Sequence, residues 1–237
     1  MTCSSATSWI INKIIRNSGG LHNRVTRQLY LQPFTLYETE QFLKSKKIVL
    51  SRFQIAECYM IMGGIPYYLE QLEKQYSLEQ NIDNLFFKKT GILRDEFSRL
   101  FSSLFRSPEK YMHVIEVLAR KRKGLHREEI VKFSNISDGG GLTGILADLE
   151  LCGFVSTKNN FHSLKNNKIY QLTDFYSLFY IHFLKDRLIT DKNFWTNTLN
   201  SSQEKNFLSQ KMTIKIYEPK PGHLPKKHIR KKRFISR

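Results

Sequence analysis

Two glycines followed one residue later by a proline, Gly63-Gly64-Ile65-Pro66, interrupt two stretches of helical periodicity and do most to limit the folds open to this chain. Upstream, Ser51 and Gln54 have capping-box spacing, and Ile55, Ala56, Tyr59 and Met62 recur at helical intervals. A helix should therefore run into Gly63 as its left-handed C-terminal residue. Downstream, Pro66 suits a first helical turn, where its missing N–H is no loss, and Tyr68, Leu69, Leu72 and Tyr76 give the next helix one apolar face. The stretch reads as a hinge between helices. It also fits an ordinary helix-turn-helix corner, because glycine and proline punctuate any helical domain.

The 237 residues, 41% of them hydrophobic, suffice for one large or two small globular domains. The longest strongly apolar stretch, Phe175 to Leu184, is broken by Ser177 and His182 and is too short to span a bilayer. The N-terminus has no basic region followed by an apolar core. Cys3, Cys58 and Cys152 show no CxxC spacing, which argues against a disulfide framework and against a zinc site, so no metal site is expected. These features predict a cytoplasmic protein without a membrane segment. The net charge is +17, yet residues 209–237 alone carry ten basic side chains and one acidic one. Low hydrophobicity and one-sided charge predict a disordered tail there, with weak, salt-sensitive and non-specific affinity for nucleic acid.

The fold class expected is mainly α, with some β. Residues 1–35 read as the end of an α/β unit, with a helix from about Ser8 to Arg16 and an extended Val25 to Leu31. Residues 36–106 read as helical throughout: Ser77 and Gln80 form another capping box, and Phe97, Leu100, Phe101, Leu104 and Phe105 mark a long apolar stripe. Residues 107–173 change pattern to two short helices, a glycine-rich step, a third helix at Leu142 to Leu149, and two strands around a polar loop. That order is a winged helix-turn-helix. Residues 174–208 form a C-terminal helical segment led by Asp174 as cap.

From about Thr2 to Trp195, six stretches occur in a family's order: Ser4-Ser5-Ala6-Thr7-Ser8-Trp9-Ile10, Gly19 to Arg24, Leu31-Gln32-Pro33-Phe34, Gly63 to Leu69, Arg94-Asp95-Glu96-Phe97, and Asp174 to Tyr180. Together they resemble the AAA+-like ATPases of the archaeal-type family, relatives of the STAND NTPases. The resemblance implies the end of a nucleotide-binding domain at 1–35, a helical lid at 36–106 and a winged helix at 107–173. It also implies that Gly63, Gly64, Pro66 and Tyr67 lie on the adenine side of a nucleotide. Ser4 or Ser5 would then stand at the sensor position facing the γ-phosphate, although both also read as helix caps. Arg24 would be an arginine finger acting on a neighbouring subunit, or a solvated loop arginine.

An ATPase needs a phosphate-binding loop and an acidic residue for Mg²⁺. No GxxxxGK[ST] occurs in the chain and no apolar strand run ends in paired acids. The resemblance places both upstream, so the expectation is a truncated ATPase remnant whose intact relatives bind ATP and Mg. Hydrolysis by this chain alone is not expected, and the departure from the family pattern after Trp195 suggests a frameshifted tail. Homo-oligomer formation, or a protein partner held by the winged helix, fits this reading. The alternative is a non-enzymatic winged-helix nucleic-acid-binding protein contacting DNA through Arg120, Lys121, Arg122, Lys123, Arg127, Lys158, Lys165 and Lys168. Helix three itself offers Thr143, Asp148 and Glu150 and no cation, which is poor chemistry for reading base edges.

Overall fold

The computed structural model describes residues 31–159, 168–186 and 193–198, and these are mainly helical, with one small antiparallel sheet. Helix α1, Leu36–Ser45, starts at Thr35, whose hydroxyl accepts from the Glu38 N–H while the Glu38 carboxylate accepts from the Thr35 N–H. Helix α2, Arg52–Met62, has the Ser51/Gln54 capping box read from the sequence and ends on Gly63 at φ +68°. Four of its residues were expected to form one apolar face. In fact Ile55, Ala56, Glu57, Cys58, Ile61 and Met62 are all buried, because neighbours cover the helix on more than one side.

Helix α3, Pro66–Glu70, starts on its proline and is shorter than the periodicity suggests. Leu72 is buried beyond its end, whereas Tyr76 lies in the following turn and is exposed. Helix α4, Leu78–Ile82, carries the Ser77/Gln80 box and widens into a π-helical turn at Asp83–Phe87. Helix α5, Glu96–Leu104, buries Phe97 and Phe101.

The next segment contributes α6 (Pro108–Ala119), β1 (Leu125–His126), α7 (Arg127–Ser134), α8 (Gly140–Leu151), β2 (Val155–Asn159) and β3 (Lys168–Leu172). The sheet order is β1-β3-β2 and both pairings are antiparallel, with Leu125 opposite Tyr170 and Thr157 opposite Tyr170 on the other side. Leu142, Ile145, Leu146 and Leu149 form the buried face of α8, as their spacing predicts. Phe101 against Phe154 (centroids 4.9 Å apart) and Phe105 stacked on Tyr111 (3.8 Å) join this segment to α5.

Helix α9, Phe175–Phe179, is capped by Asp174 and also passes into a π-helical turn, Tyr180–Leu184. The last described helix, α10, is Phe194–Thr198. Its Trp195 is 1% exposed and packs on Phe87, Phe179 and Phe183, closing an aromatic core that also holds Phe86 and Tyr176. Asp83 ties this helix down: its carboxylate accepts from the Trp195 N–H (2.7 Å), the Thr196 N–H (3.1 Å) and the Thr196 hydroxyl (2.6 Å). Hydrogen bonds to a charged acceptor are the stronger kind, so Asp83→Ala should destabilise the protein by about 2–3 kcal/mol, read as a lower urea midpoint at neutral pH. An unchanged midpoint would mean that α10 is held by its aromatic packing alone.

Candidate functional site at the Gly63-Gly64 corner

Three segments distant in sequence meet at the glycine pair. The Phe34 N–H donates to the Gly64 carbonyl (2.8 Å), which lays the chain before α1 against the corner. Gly64 sits at φ +70°, and a Cβ built on it would lie 2.3 Å from the Phe34 carbonyl oxygen and 2.7 Å from Tyr59 Cε2. Only glycine fits there. Gly63 faces the other way, where a Cβ would stand 3.7 Å from Phe175 Cβ and 4.0 Å from Asp174 Oδ1.

Asp174 accepts from the Ser177 N–H (2.7 Å), as its role as cap requires. Burial raises its carboxyl above the ordinary range, and the hydrogen bonds from Ser177 partly offset that. Tyr59 packs edge-on against Phe175 at 5.6 Å, and the Arg122 guanidinium lies over the same ring at 5.6 Å from its centroid. The corner therefore connects α2 and α3 to the sheet-bearing segment through the start of α9.

The residues expected on the adenine side divide. Gly64 is buried in backbone packing, Gly63 faces Asp174 and Phe175, and Pro66 and Tyr67 are exposed, Tyr67 by 50%. Tyr68 is buried, its ring 5.0 Å from Tyr176, so it is a packing residue. Its hydroxyl is directed to Glu96 at 3.4 Å. Burial and the neighbouring Glu96 and Asp174 raise the Tyr68 pKa, so it stays protonated at neutral pH. Ser4, Ser5 and Arg24 lie outside the described residues, as does Lys165.

The cations proposed for nucleic acid do come together around β1, α7 and the sheet, but most are already engaged. Lys121 pairs with Glu129 (2.9 Å). Arg127 pairs with Asp138 (2.6 Å) and also donates to the Gly139 carbonyl and the Thr143 hydroxyl. Arg122 is half-buried, donates to the Leu172 carbonyl (3.3 Å), and loses basicity through desolvation. Arg120 stacks over Phe133, and Lys158 donates to Gln171 (2.6 Å). Lys123 and Lys168 are exposed. The outer face of α8 presents Gly141, Thr143, Gly144, Ala147 and Glu150, and Glu150 accepts from Thr157.

Among the described residues no cluster of three or more His, Cys, Asp or Glu is placed to hold a metal ion, and no helix is long and apolar enough to cross a membrane. A hollow of about 220 Å³ lies between α1 and the start of α2, lined by Leu43, Ile48, Val49, Leu50 and Ile55 together with Glu40, Lys44 and Lys47. It is smaller than the roughly 300–1,000 Å³ typical of small-molecule sites. No family profile, curated protein or solved structure matches this chain.

Sequence reasoning missed Glu57, Asp83 and the half-buried state of Arg122. The signal for Glu57 was present: it stands four residues before Ile61, within a run of apolar helix positions. Asp83 and Arg122 gave none, because their partners lie far along the chain.

Proposed function

We propose that the chain supplies the helical lid and winged-helix module of an AAA+-like ATP-binding protein, with the exposed Pro66 and Tyr67 on the adenine-facing side. The observation that carries this reading is the corner itself. A glycine pair that can take no side chain at Gly64 locks α2 and α3 to the segment before α1, while its neighbour Gly63 meets the cap of α9. Such a junction couples the helical part to the sheet-bearing part, and it leaves one aromatic side chain exposed beside a proline that starts a helix. The order of α6, β1, α7, α8, β2 and β3 supports the winged-helix half of the proposal.

A docking role for that module suits the charges better than DNA reading does. Lys121, Arg127 and Lys158 already have partners within the protein, and the outer face of α8 carries no cation. Phosphate contacts would have to break those pairs first.

The test is to titrate the purified chain with a fluorescent ATP analogue in Mg²⁺ at physiological salt and to assay phosphate release in parallel. Weak saturable binding, lowered by Tyr67→Ala, and no turnover are expected. Tyr67 is half-exposed, so that substitution leaves the core intact. Binding that ignores Tyr67→Ala, or none at millimolar analogue, would remove the adenine-side reading, and turnover would show a phosphate site that the sequence does not reveal.

A further inference from the structure

The stretch that joins α1 to α2 combines cations with apolar side chains and has no acid. From Lys44, near the end of α1, to Arg52, at the start of α2, it carries four cations, Lys44, Lys46, Lys47 and Arg52. Between them Ile48, Val49 and Leu50 line the hollow. Ile48 is buried, but Val49 is 95% exposed, so part of the apolar lining stands in water. Phe53, in the first turn of α2, is exposed as well.

Two of the four cations are already answered. Lys44 pairs with Glu40 (2.7 Å), and Lys46 pairs with Glu70 (2.5 Å). Lys47 and Arg52 are exposed and make no ion pair among the described residues. Lys47 also takes the left-handed turn that ends α1, at φ +60°, where glycine would be the easier residue. Its side chain nevertheless lines the hollow.

We propose that this hollow docks an acidic amphipathic helix of a partner protein, whose apolar side chains enter between α1 and α2 while its carboxylates meet Lys47 and Arg52. An apolar lining rimmed by unanswered cations is complementary to such a helix in both shape of burial and sign of charge. Other occupants fit less well. Residues 1–30 include the apolar run Trp9 to Ile15, but they carry Lys13, Arg16, Arg24 and Arg27 and no acid, so they bring like charge to the rim. A second copy would set these same cations against each other. An anionic bilayer attracts cations and exposed apolar groups, yet its surface cannot fill a hollow. The surface shares no residue with the Gly63-to-Tyr67 corner, so its occupation does not depend on a nucleotide there.

The probe is a labelled peptide of Leu, Ala and Glu, about 15 residues long, enough to form a helix with one leucine face. It is titrated with the full-length protein and followed by fluorescence anisotropy, and a twin with Lys in place of every Glu is the charge control. Saturable binding is expected, about tenfold or more tighter for the Glu peptide than for its twin. Val49→Ser and Lys47→Gly should each weaken it about threefold to tenfold. Neither should lower the melting temperature, because Val49 is exposed and glycine suits the left-handed turn. Unchanged affinity in either variant overturns the proposal, and that is the result if the peptide attaches to the basic run Lys226 to Arg233 instead. Equal affinity for the twin, or no saturation at millimolar peptide, overturns it too. So would either of two transfers of the Val49 dependence: to binding of anionic phospholipid vesicles, which would assign the surface to a membrane, or to dimerisation, which would assign it to a second copy.

Discussion

Gly64→Ala should be among the most damaging single-methyl additions to this protein, lowering stability by about 3 kcal/mol or more. Two costs combine. A non-glycine residue held in the left-handed region costs of order 1–2 kcal/mol. The added Cβ would also meet the Phe34 carbonyl oxygen at 2.3 Å, a backbone atom pinned by the Phe34 N–H to Gly64 hydrogen bond, so relief requires moving the chain before α1. Overpacking of that kind costs a further 1–3 kcal/mol or so. Gly63→Ala is the internal control. It has a similar φ of +68° but ordinary contact distances, so it should cost only the backbone part, about 1–2 kcal/mol. Urea unfolding of both variants measures the difference. Equal losses would show that the corner yields, and that close packing at Gly64 does not hold it.

Phe179→Ala should cost about 3–5 kcal/mol, the usual range for removing a buried aromatic ring. Phe179 has no exposed surface and contacts the rings of Phe86, Phe87, Phe183 and Trp195 at centroid distances from 5.1 to 6.2 Å. The cavity would open between α9, the Asp83–Phe87 turn and α10, all of which meet at this ring. Phe53→Ala, by contrast, removes a ring that is 78% exposed and should change stability by no more than about 0.5 kcal/mol. Thermal melts of the pair test whether the aromatic cluster is the main source of cohesion. Similar melting temperatures would refute that.

What could be read from the sequence was what depends on neighbours in the chain. The Ser51/Gln54 and Ser77/Gln80 boxes, the left-handed Gly63 and the buried face of α8 all follow from residues within a few positions of one another. Of the two strands expected around the polar loop, Ile169 to Leu172 matches β3, whereas the first, expected at Phe154-Val155, runs from Val155 to Asn159. The site was less legible, because availability is a tertiary property. Arg127 and Lys121 look like free cations until Asp138 and Glu129 are folded beside them. Glu57 stands in an apolar run, yet that the fold buries it to 4% exposure is again a tertiary fact. Both π-helical turns also escaped notice, since each needs side chains from elsewhere to hold a backbone pattern that local preference does not favour.

The way α10 closes the aromatic core has a consequence for synthesis. Phe87 waits for Trp195, Asp83 for Thr196, and the Leu93 carbonyl for the Tyr176 hydroxyl (3.1 Å), all partners that leave the ribosome about a hundred residues later. At translation rates of roughly 5–20 residues per second, a nascent chain shows that unfinished aromatic face for on the order of ten seconds. The protein is thus most exposed to misassociation while it is being made, and α10, the last of the described helices to emerge, is the one that ends the danger.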